Sequence, residues 1–236
     1  MLEDLACLLY PELSTLLPYS LQHKNYTFQL KEDHMQPLIQ NIQAEITKTA
    51  RILDRMAEDE TLLSVIITVA DLCVTALREG GRILLAGNGG SAADAQHLAA
   101  ELVGRLRFDR PALPAIALTA DTAILTAISN DYGYERIFDR QVEAIGRVGD
   151  VLIGLSTSAC SRNLVRALER ARAKEIVTVG LLGSNPGPIE SLCDYRLYVP
   201  DRETQKIQEG YIVIGHVLCT LIEQAMLTTP LVSQRC

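Results

Sequence analysis

A histidine and a glutamate in this chain have the spacing that metal binding or proton transfer needs. His97 and Glu101 are four residues apart, and on a helix that spacing puts both side chains on one face. Imidazole and carboxylate groups are ligands for zinc and are also the usual general acids and bases. A surface pair held only by its charges is the other interpretation of the same spacing.

A second candidate pair, Gln208 and His216, lies in the last apolar segment of the chain. Eight helical residues separate two Cα atoms by about 12 Å along the axis and about 80° around it. One metal could be reached by both only through the long glutamine side chain, or if the ligands come from different subunits. His216 is otherwise interpreted as a core histidine, because apolar residues surround it.

Two turns rich in glycine or hydroxyl groups each follow a predicted strand. The first, residues 87–92, has the sequence GNGGSA, and the second, residues 156–161, has the sequence STSACS. Glycines let backbone N–H groups approach a phosphate, and the following helix N-terminus favours an anion. Ser161 suits an N-cap. Ligands of open α/β sheets bind beyond the carboxyl ends of the strands, so one phosphorylated ligand could contact both turns.

Each turn has an alternative interpretation. The first turn also fits the G-x-G-x-x-A pattern of a dinucleotide site, which gives the second turn no role, and both could be ligand-free turns. A polar segment, Asn130 to Gly133, is predicted as a turn after a helix over 121–128, or as a simple loop. The nearest candidate cations for a phosphate are Arg105, Arg162 and Lys206, with a solvated surface as the alternative for each.

The periodicity of apolar residues predicts the elements that would position these groups. A stripe of period 3.6 from Leu38 to Met56 predicts a helix with Pro37 in its first turn. A second helix over Leu62–Leu77 should end at Gly80 and Gly81. Five short apolar runs then alternate with helical segments, which predicts a doubly wound α/β domain with a parallel sheet. The predicted strands are 83–86, 115–118, 151–155, 176–181 and 195–199; helices should begin near 91, 121, 161 and 186, and the last should cover 203–226.

Composition restricts the class of protein. The chain has 236 residues, 48% of them apolar, and a net charge of −7, which argues against a disordered chain and against nucleic-acid binding through bulk positive charge. No apolar run reaches the ~18 residues of a membrane span, so no membrane partner is expected. Six scattered cysteines indicate free thiols and a cytoplasmic protein. Residues 1–34 are expected to be an extension, disordered or not native, or else to contain a short docking helix over 2–9. A single domain should cover 35–228, and 229–236 should form a tail.

In this order and spacing, the motifs resemble the sugar isomerase (SIS) domain family, and within it the members that act on sedoheptulose 7-phosphate. The resemblance extends from about residue 36 to residue 226. It is carried by LLAGNGGSAADAQHLAAEL (84–102), PAIALTAD (114–121), SNDYGYERIFDRQVEA (129–144), GDVLIGLSTS (149–158) and KIQEGYIVIGH (206–216).

The resemblance implies a fold and an activity. The fold is a five-stranded parallel sheet flanked by helices, a flavodoxin-like three-layer sandwich, in a homotetramer with active sites at subunit interfaces. The activity is interconversion of sedoheptulose 7-phosphate and D-glycero-D-manno-heptose 7-phosphate through an enediol or enediolate, the first step of ADP- or GDP-heptose biosynthesis and of lipopolysaccharide heptose.

Site residues follow from the resemblance position by position. One zinc per subunit would be held by His97, Glu101, Gln208 and His216, and Glu101 and His216 match the acid–base pair. The implied sugar-phosphate contacts are Asn88, Gly89, Gly90, Ser91, Asn130, Asp131, Ser156, Thr157, Ser158, Ser161 and Gln208.

The chain departs from the family pattern in the second turn. Related isomerases usually have Ser-Gly-Asn-Ser there, whereas this chain has Ser158-Ala159-Cys160-Ser161, and Gln205 stands where some members have a carboxylate. The changed turn should affect efficiency or substrate and not the reaction class. The alternative function is that of a non-catalytic SIS protein of the type that associates with the DnaA initiator. That regulator lacks the glutamate and histidine found here at positions 101 and 216.

Overall fold

The computed structural model describes residues 32–227. Contacts divide the chain into two units, one up to Glu45 and one from Ile46 onward. The predicted docking helix over 2–9, the predicted tail over 229–236 and most of the predicted extension lie outside the described residues. The whole sheet lies in the second unit.

Two long helices precede the sheet, as predicted. Helix α1 covers Glu32–Glu58 with Pro37 inside it, so the prediction that this proline occupies the first turn is wrong. Helix α2 covers Glu60–Arg78, and Asp59 caps it by accepting a hydrogen bond from the Leu62 N–H at 3.0 Å. The helix ends before Gly80, whose φ of +83° confirms the predicted glycine stop.

The sheet has five parallel strands in the order β2-β1-β3-β4-β5, which confirms the predicted α/β fold. Strands β1 and β3 are buried along their whole length, which explains their continuous apolar sequences. In their register Gly87 pairs with Leu155, so the turns that follow β1 and β3 leave the sheet side by side. The strands are β1 (Ile83–Gly87), β2 (Ala115–Ala117), β3 (Val151–Ser156), β4 (Val177–Gly183) and β5 (Tyr195–Val199).

Helices cover both faces of the sheet and make the three layers. One core cluster joins the sheet to α2, α3 and α8, and the other joins it to α5, α6 and α7. Helix α5 and the 3₁₀ turn Tyr134–Arg136 that precedes it were not predicted, because the apolar residues there show no clear periodicity. The helices that follow α2 are α3 (Gly90–Val103), α4 (Thr122–Tyr132), α5 (Asp139–Ile145), α6 (Arg162–Ala173), α7 (Ile189–Leu192) and α8 (Thr204–Leu227).

A buried ion pair fixes the segment after α3 to helix α8. The Arg110 guanidinium lies 3.1 Å from the Glu223 carboxylate, and both side chains are buried. Burial by itself would raise the pKa of Glu223, but hydrogen bonds from the backbone N–H groups of Leu106, Arg107 and Phe108, together with Arg110, hold that pKa below its usual value. The carboxylate therefore stabilises the fold in its charged form.

Helices α2 and α8 are long and apolar enough to cross a membrane by length and composition alone, contrary to the expectation from the sequence. Core helices of globular proteins satisfy the same two criteria. Both helices carry residues of one core cluster, including Val69 in α2 and Tyr211 in α8. Packing against the sheet accounts for the buried apolar residues of these helices, whereas Leu63 and Ile67 of α2 and Val213 and Val217 of α8 are exposed.

Candidate active site at the carboxyl edge of the sheet

His97, Glu101 and His216 come together although α3 and α8 are distant in sequence. The Nε2 atoms of His97 and His216 are 2.9 Å apart, and His97 Nε2 is 3.4 Å from a Glu101 carboxylate oxygen. One possible metal-ligand atom from each of the three residues lies within 4.8 Å of those of the other two. Two ring nitrogens at that distance either share one proton or bind one ion, because two N–H groups facing each other would repel. The predicted partnership of His97 and Glu101 on one helix face is present.

The first glycine-rich turn connects β1 to α3 and also faces α8. Gly89 has φ +55°, a left-handed conformation that favours glycine, and α3 starts at Gly90. The Gln208 amide lies against Gly90, and its Nε2 is 3.5 Å from the hydroxyl of buried Ser91. Among the described residues, no hydrogen bond connects Gln208 to the His97–Glu101–His216 group.

The second turn connects β3 to α6. Ser161 occupies the N-cap of α6, as predicted, but its side chain makes no capping hydrogen bond within the described chain. Its hydroxyl is 3.5 Å from that of Ser156, and Ser158 accepts a hydrogen bond from the Cys160 N–H at 3.3 Å. Ala159 is fully buried with φ +53°. A left-handed alanine costs roughly 1–2 kcal/mol, so this turn is strained at Ala159.

A network of amides connects the two turns. Asn88 donates a hydrogen bond to Asn163 Oδ1 at 2.9 Å, and Asn163 donates one back to Asn88 Oδ1 at 2.8 Å. The Tyr134 hydroxyl donates to the same Asn88 oxygen at 2.8 Å. Neither Asn163 nor Tyr134 was predicted as a site residue. Asn163 lies outside the five motif stretches, close to Ser161, whereas Tyr134 lies inside the stretch 129–144 and was not singled out there.

Other predicted residues lie in different surroundings from those expected. Asn130 and Asp131 belong to the last turn of α4, so the predicted turn is wrong, because the helix continues to Tyr132 before Gly133 ends it. Asn130 hydrogen-bonds to Asp131 at 2.8 Å, and both are exposed. Lys206 is buried and bonds to neighbouring helical residues, which removes it as a freely available phosphate cation, whereas the other two predicted cations, Arg105 and Arg162, are exposed.

Two buried polar atoms without hydrogen-bond partners in the described structure lie near the histidines. They are an oxygen of Asp94, three residues before His97, and the hydroxyl of Tyr211 in α8. Burial raises the pKa of Asp94, while the charge of His97 opposes that shift. Burial also raises the pKa of Tyr211, and the Asp94 carboxylate adds to that rise. Sequence reasoning did not single out either residue.

A known domain family matches the part of the chain that contains both anion-suited turns. The SIS domain model matches residues 46–183. The chain belongs to the SIS domain family.

Relatives of high identity define the branch within that family. A phosphoheptose isomerase from Burkholderia pseudomallei is 54% identical over 181 residues, which is 77% of this chain and 92% of the relative. One from Aneurinibacillus thermoaerophilus is 50% identical over 192 residues, covering 81% and 97% of the two chains. The solved phosphoheptose isomerase of Neisseria gonorrhoeae superposes with a TM-score of 0.74 at 39% identity, over 79% of this chain and 99% of its own. The branch is that of the phosphoheptose isomerases.

Proposed function

We infer that the chain is an aldose–ketose isomerase that interconverts sedoheptulose 7-phosphate and D-glycero-D-manno-heptose 7-phosphate, the entry to heptose biosynthesis. The observation that carries this inference is the group His97, Glu101 and His216 beside two anion-suited turns, in a chain 54% identical to phosphoheptose isomerases. The alternative of a DnaA-associated regulator is not favoured. All the relatives given above are isomerases, and this chain keeps both Glu101 and His216.

The reaction moves one proton between C1 and C2 of the sugar. A base removes a proton from C1 of the ketose to give an enediolate, and returning it to C2 gives the aldose, so no oxidant or reductant is needed. Glu101 is proposed as that base, since its carboxylate is only partly buried and a ligand can reach it. His216 is proposed to move protons at the sugar oxygens, a role suited to imidazole near neutral pH.

A zinc ion is proposed to be held by His97, Glu101 and His216, with Gln208 as the fourth ligand. Two imidazole nitrogens and one carboxylate oxygen within 4.8 Å of one another are the donor set that zinc prefers at catalytic sites. When bound, zinc would polarise the substrate carbonyl as a Lewis acid. A carboxylate bound to a metal is a weaker base, so Glu101 is proposed to be a ligand in one state and the base in another.

The phosphate is proposed to bind between the two turns. Backbone N–H groups at Gly89, Gly90 and Ser91 and the start of α3 supply donors and a favourable dipole. The hydroxyls of the second turn supply further donors; they are Ser156, Thr157, Ser158 and Ser161. Asn88, Asn130 and Asp131 are proposed to contact the sugar phosphate as well. We also propose a cytoplasmic homotetramer with its active sites at subunit interfaces.

The test is isomerisation of sedoheptulose 7-phosphate followed by NMR, with and without added zinc. The wild-type protein should form the aldose, and Glu101→Gln should lose at least about 100-fold in turnover, because removing a general base costs roughly 10²–10⁴-fold. Glu169→Gln is the matched control, since Glu169 is an exposed carboxylate on α6. Full activity of Glu101→Gln would refute its role, and a folded wild-type protein that forms no product would refute the function.

Zinc binding is tested separately from turnover by thermal unfolding and metal analysis. Zinc at about 100 times its Kd should stabilise the folded protein by ~2.7 kcal/mol. His216→Ala should remove that effect. An equal gain in the variant would contradict the proposed ligand set.

A further inference from the structure

The Asn88–Asn163 pair joins the two turns that the proposed function assigns to phosphate. Asn88 follows β1 directly, and Asn163 is the second residue of α6, which follows the hydroxyl-rich turn after β3. Because β1 and β3 are adjacent and in register, the two amides meet across the gap between the turns. Each donates to the other, at 2.9 and 2.8 Å. The pair thus spans the place where one anion would contact both turns.

The backbone fixes which way both amides point. The Leu164 N–H donates to Asn163 Oδ1 at 2.9 Å, so that atom must be the oxygen and the other must be the NH₂ group. The NH₂ group of Asn163 then faces an acceptor, which makes that atom of Asn88 its oxygen. The Tyr134 hydroxyl, 2.8 Å from the same oxygen, must therefore donate its proton.

This pairing leaves Asn88 little capacity to bind a ligand. Its oxygen has two lone pairs, and both are used, by Asn163 and Tyr134. Its NH₂ group has two protons, one of which goes to Asn163. Only one N–H group of the Asn88 side chain stays available for a sugar phosphate.

We propose that Asn163 and Tyr134 are positioning residues that hold Asn88, so that the two turns form one phosphate-binding unit of fixed width. Asn163 is 2% exposed and anchors the pair in the core, whereas Tyr134 is 58% exposed and holds it from the surface. The amide pair sets the distance between the two turns. The backbone N–H groups of the first turn then bind the anion at that fixed distance from the second turn. This proposal rests on the proposed function.

Tyr134→Phe tests the proposal with the least disturbance, because it removes one exposed hydroxyl and keeps the ring. Loss of one hydrogen bond that holds the turn should raise the KM for sedoheptulose 7-phosphate by about 2- to 10-fold. The kcat should stay within about twofold of the wild-type value, because the chemical groups are untouched. Affinity for inorganic phosphate, measured by calorimetry, should fall by the same factor as the KM rises.

Tyr132→Phe is the matched control. Tyr132 is an exposed tyrosine two residues earlier. The centre of its ring lies 4.0 Å from Arg140 Cζ, a contact that phenylalanine keeps. Its KM, kcat and phosphate affinity should equal those of the wild-type protein.

Asn163→Asp is the stronger change, since it keeps the acceptor for Leu164 and places a carboxylate oxygen against the Asn88 oxygen. Phosphate affinity should fall further than in Tyr134→Phe, by more than about 10-fold, and zinc-induced stabilisation should be unchanged. If Asn163→Asp does not fold, Tyr134→Phe is sufficient to test the positioning role.

Different results would contradict the positioning role of Asn163 and Tyr134 and the isomerase function of the chain. Wild-type phosphate affinity in Tyr134→Phe, or a loss of kcat with unchanged phosphate affinity, would overturn the positioning role while the isomerase function stands. A wild-type protein that binds phosphate through this network but isomerises nothing would overturn the function and leave the positioning role supported. A wild-type protein that isomerises sedoheptulose 7-phosphate but binds no inorganic phosphate would overturn the positioning role and leave the function standing.

Discussion

Gly90 touches the Gln208 amide so closely that a single methyl group there should displace it. A Cβ atom built on Gly90 would lie 2.6 Å from Gln208 Nε2, 2.7 Å from its Oε1 and 2.8 Å from its Cδ. Ordinary contacts between such atoms begin at ~3.5 Å. In Gly90→Ala the amide must therefore move by about 1 Å, away from the position in which Gln208 is proposed to contact zinc and substrate.

The same substitution should leave the fold intact. Gly90 is the first residue of α3 and has no left-handed φ, and alanine is favoured over glycine in a helix by up to about 1 kcal/mol. The clash involves the end of a flexible side chain, which can rotate away. We expect the free energy of unfolding to change by less than about 1 kcal/mol, while kcat/KM falls by about 100-fold, the effect of a 1 Å displacement in an active site.

Steady-state kinetics with sedoheptulose 7-phosphate and urea unfolding measure the two quantities. Gln208→Ala and the double variant complete a mutant cycle, in which Gly90→Ala should add little once the glutamine is gone. Gly80→Ala is a control for stability, because its Cβ would touch nothing, yet its φ of +83° makes alanine strained; it should destabilise without loss of turnover. Wild-type kcat/KM in Gly90→Ala, or losses that multiply in the double variant, would show that Gly90→Ala does not act through Gln208.

Three further results are expected. Glu223→Gln should lower the free energy of unfolding at pH 7 by about 3 kcal/mol. A depressed pKa contributes its full stability only above the unfolded-state value of ~4.3, so the difference from wild type should shrink as pH falls through the folded-state pKa. Equal urea unfolding of both proteins at pH 7, or a pH-independent difference, would contradict this, and Glu143→Gln is the exposed control. A thiol reagent should label exposed Cys160 within minutes and the buried Cys73, Cys193 and Cys219 only on unfolding, because burial raises the pKa of these three thiols to about 12. With Cys7 and Cys236 replaced in both proteins, equal labelling rates with and without Cys160→Ser would disprove this. Gly187→Ala should destabilise by ~2 kcal/mol and weaken phosphate binding, because the new methyl would overlap the backbone carbonyl of Ala159; unchanged calorimetric phosphate affinity would count against a shared turn geometry.

The sequence alone determined the elements and their order. Continuous apolar runs predicted the buried parallel strands, and the 3.6-residue stripe predicted the long helices, because both signals depend on a few neighbouring residues. The i,i+4 relation of His97 and Glu101 is likewise a property of one helix. The segment from Asn130 to Ile145 was predicted less well, since its short helical pieces are stabilised by packing against the sheet and have little periodicity of their own.

Tertiary structure alone decided which distant groups meet. His216 lies against His97 across 119 residues because α3 and α8 pack on the same face of the sheet. The Asn88–Asn163 pair exists because β1 and β3 are in register, and Lys206 is occupied because α8 packs beside α1 at Thr49. No local pattern encodes such pairings: they follow from how complete elements bury their apolar faces, which fixes side-chain positions only after the whole sheet and its helices have assembled.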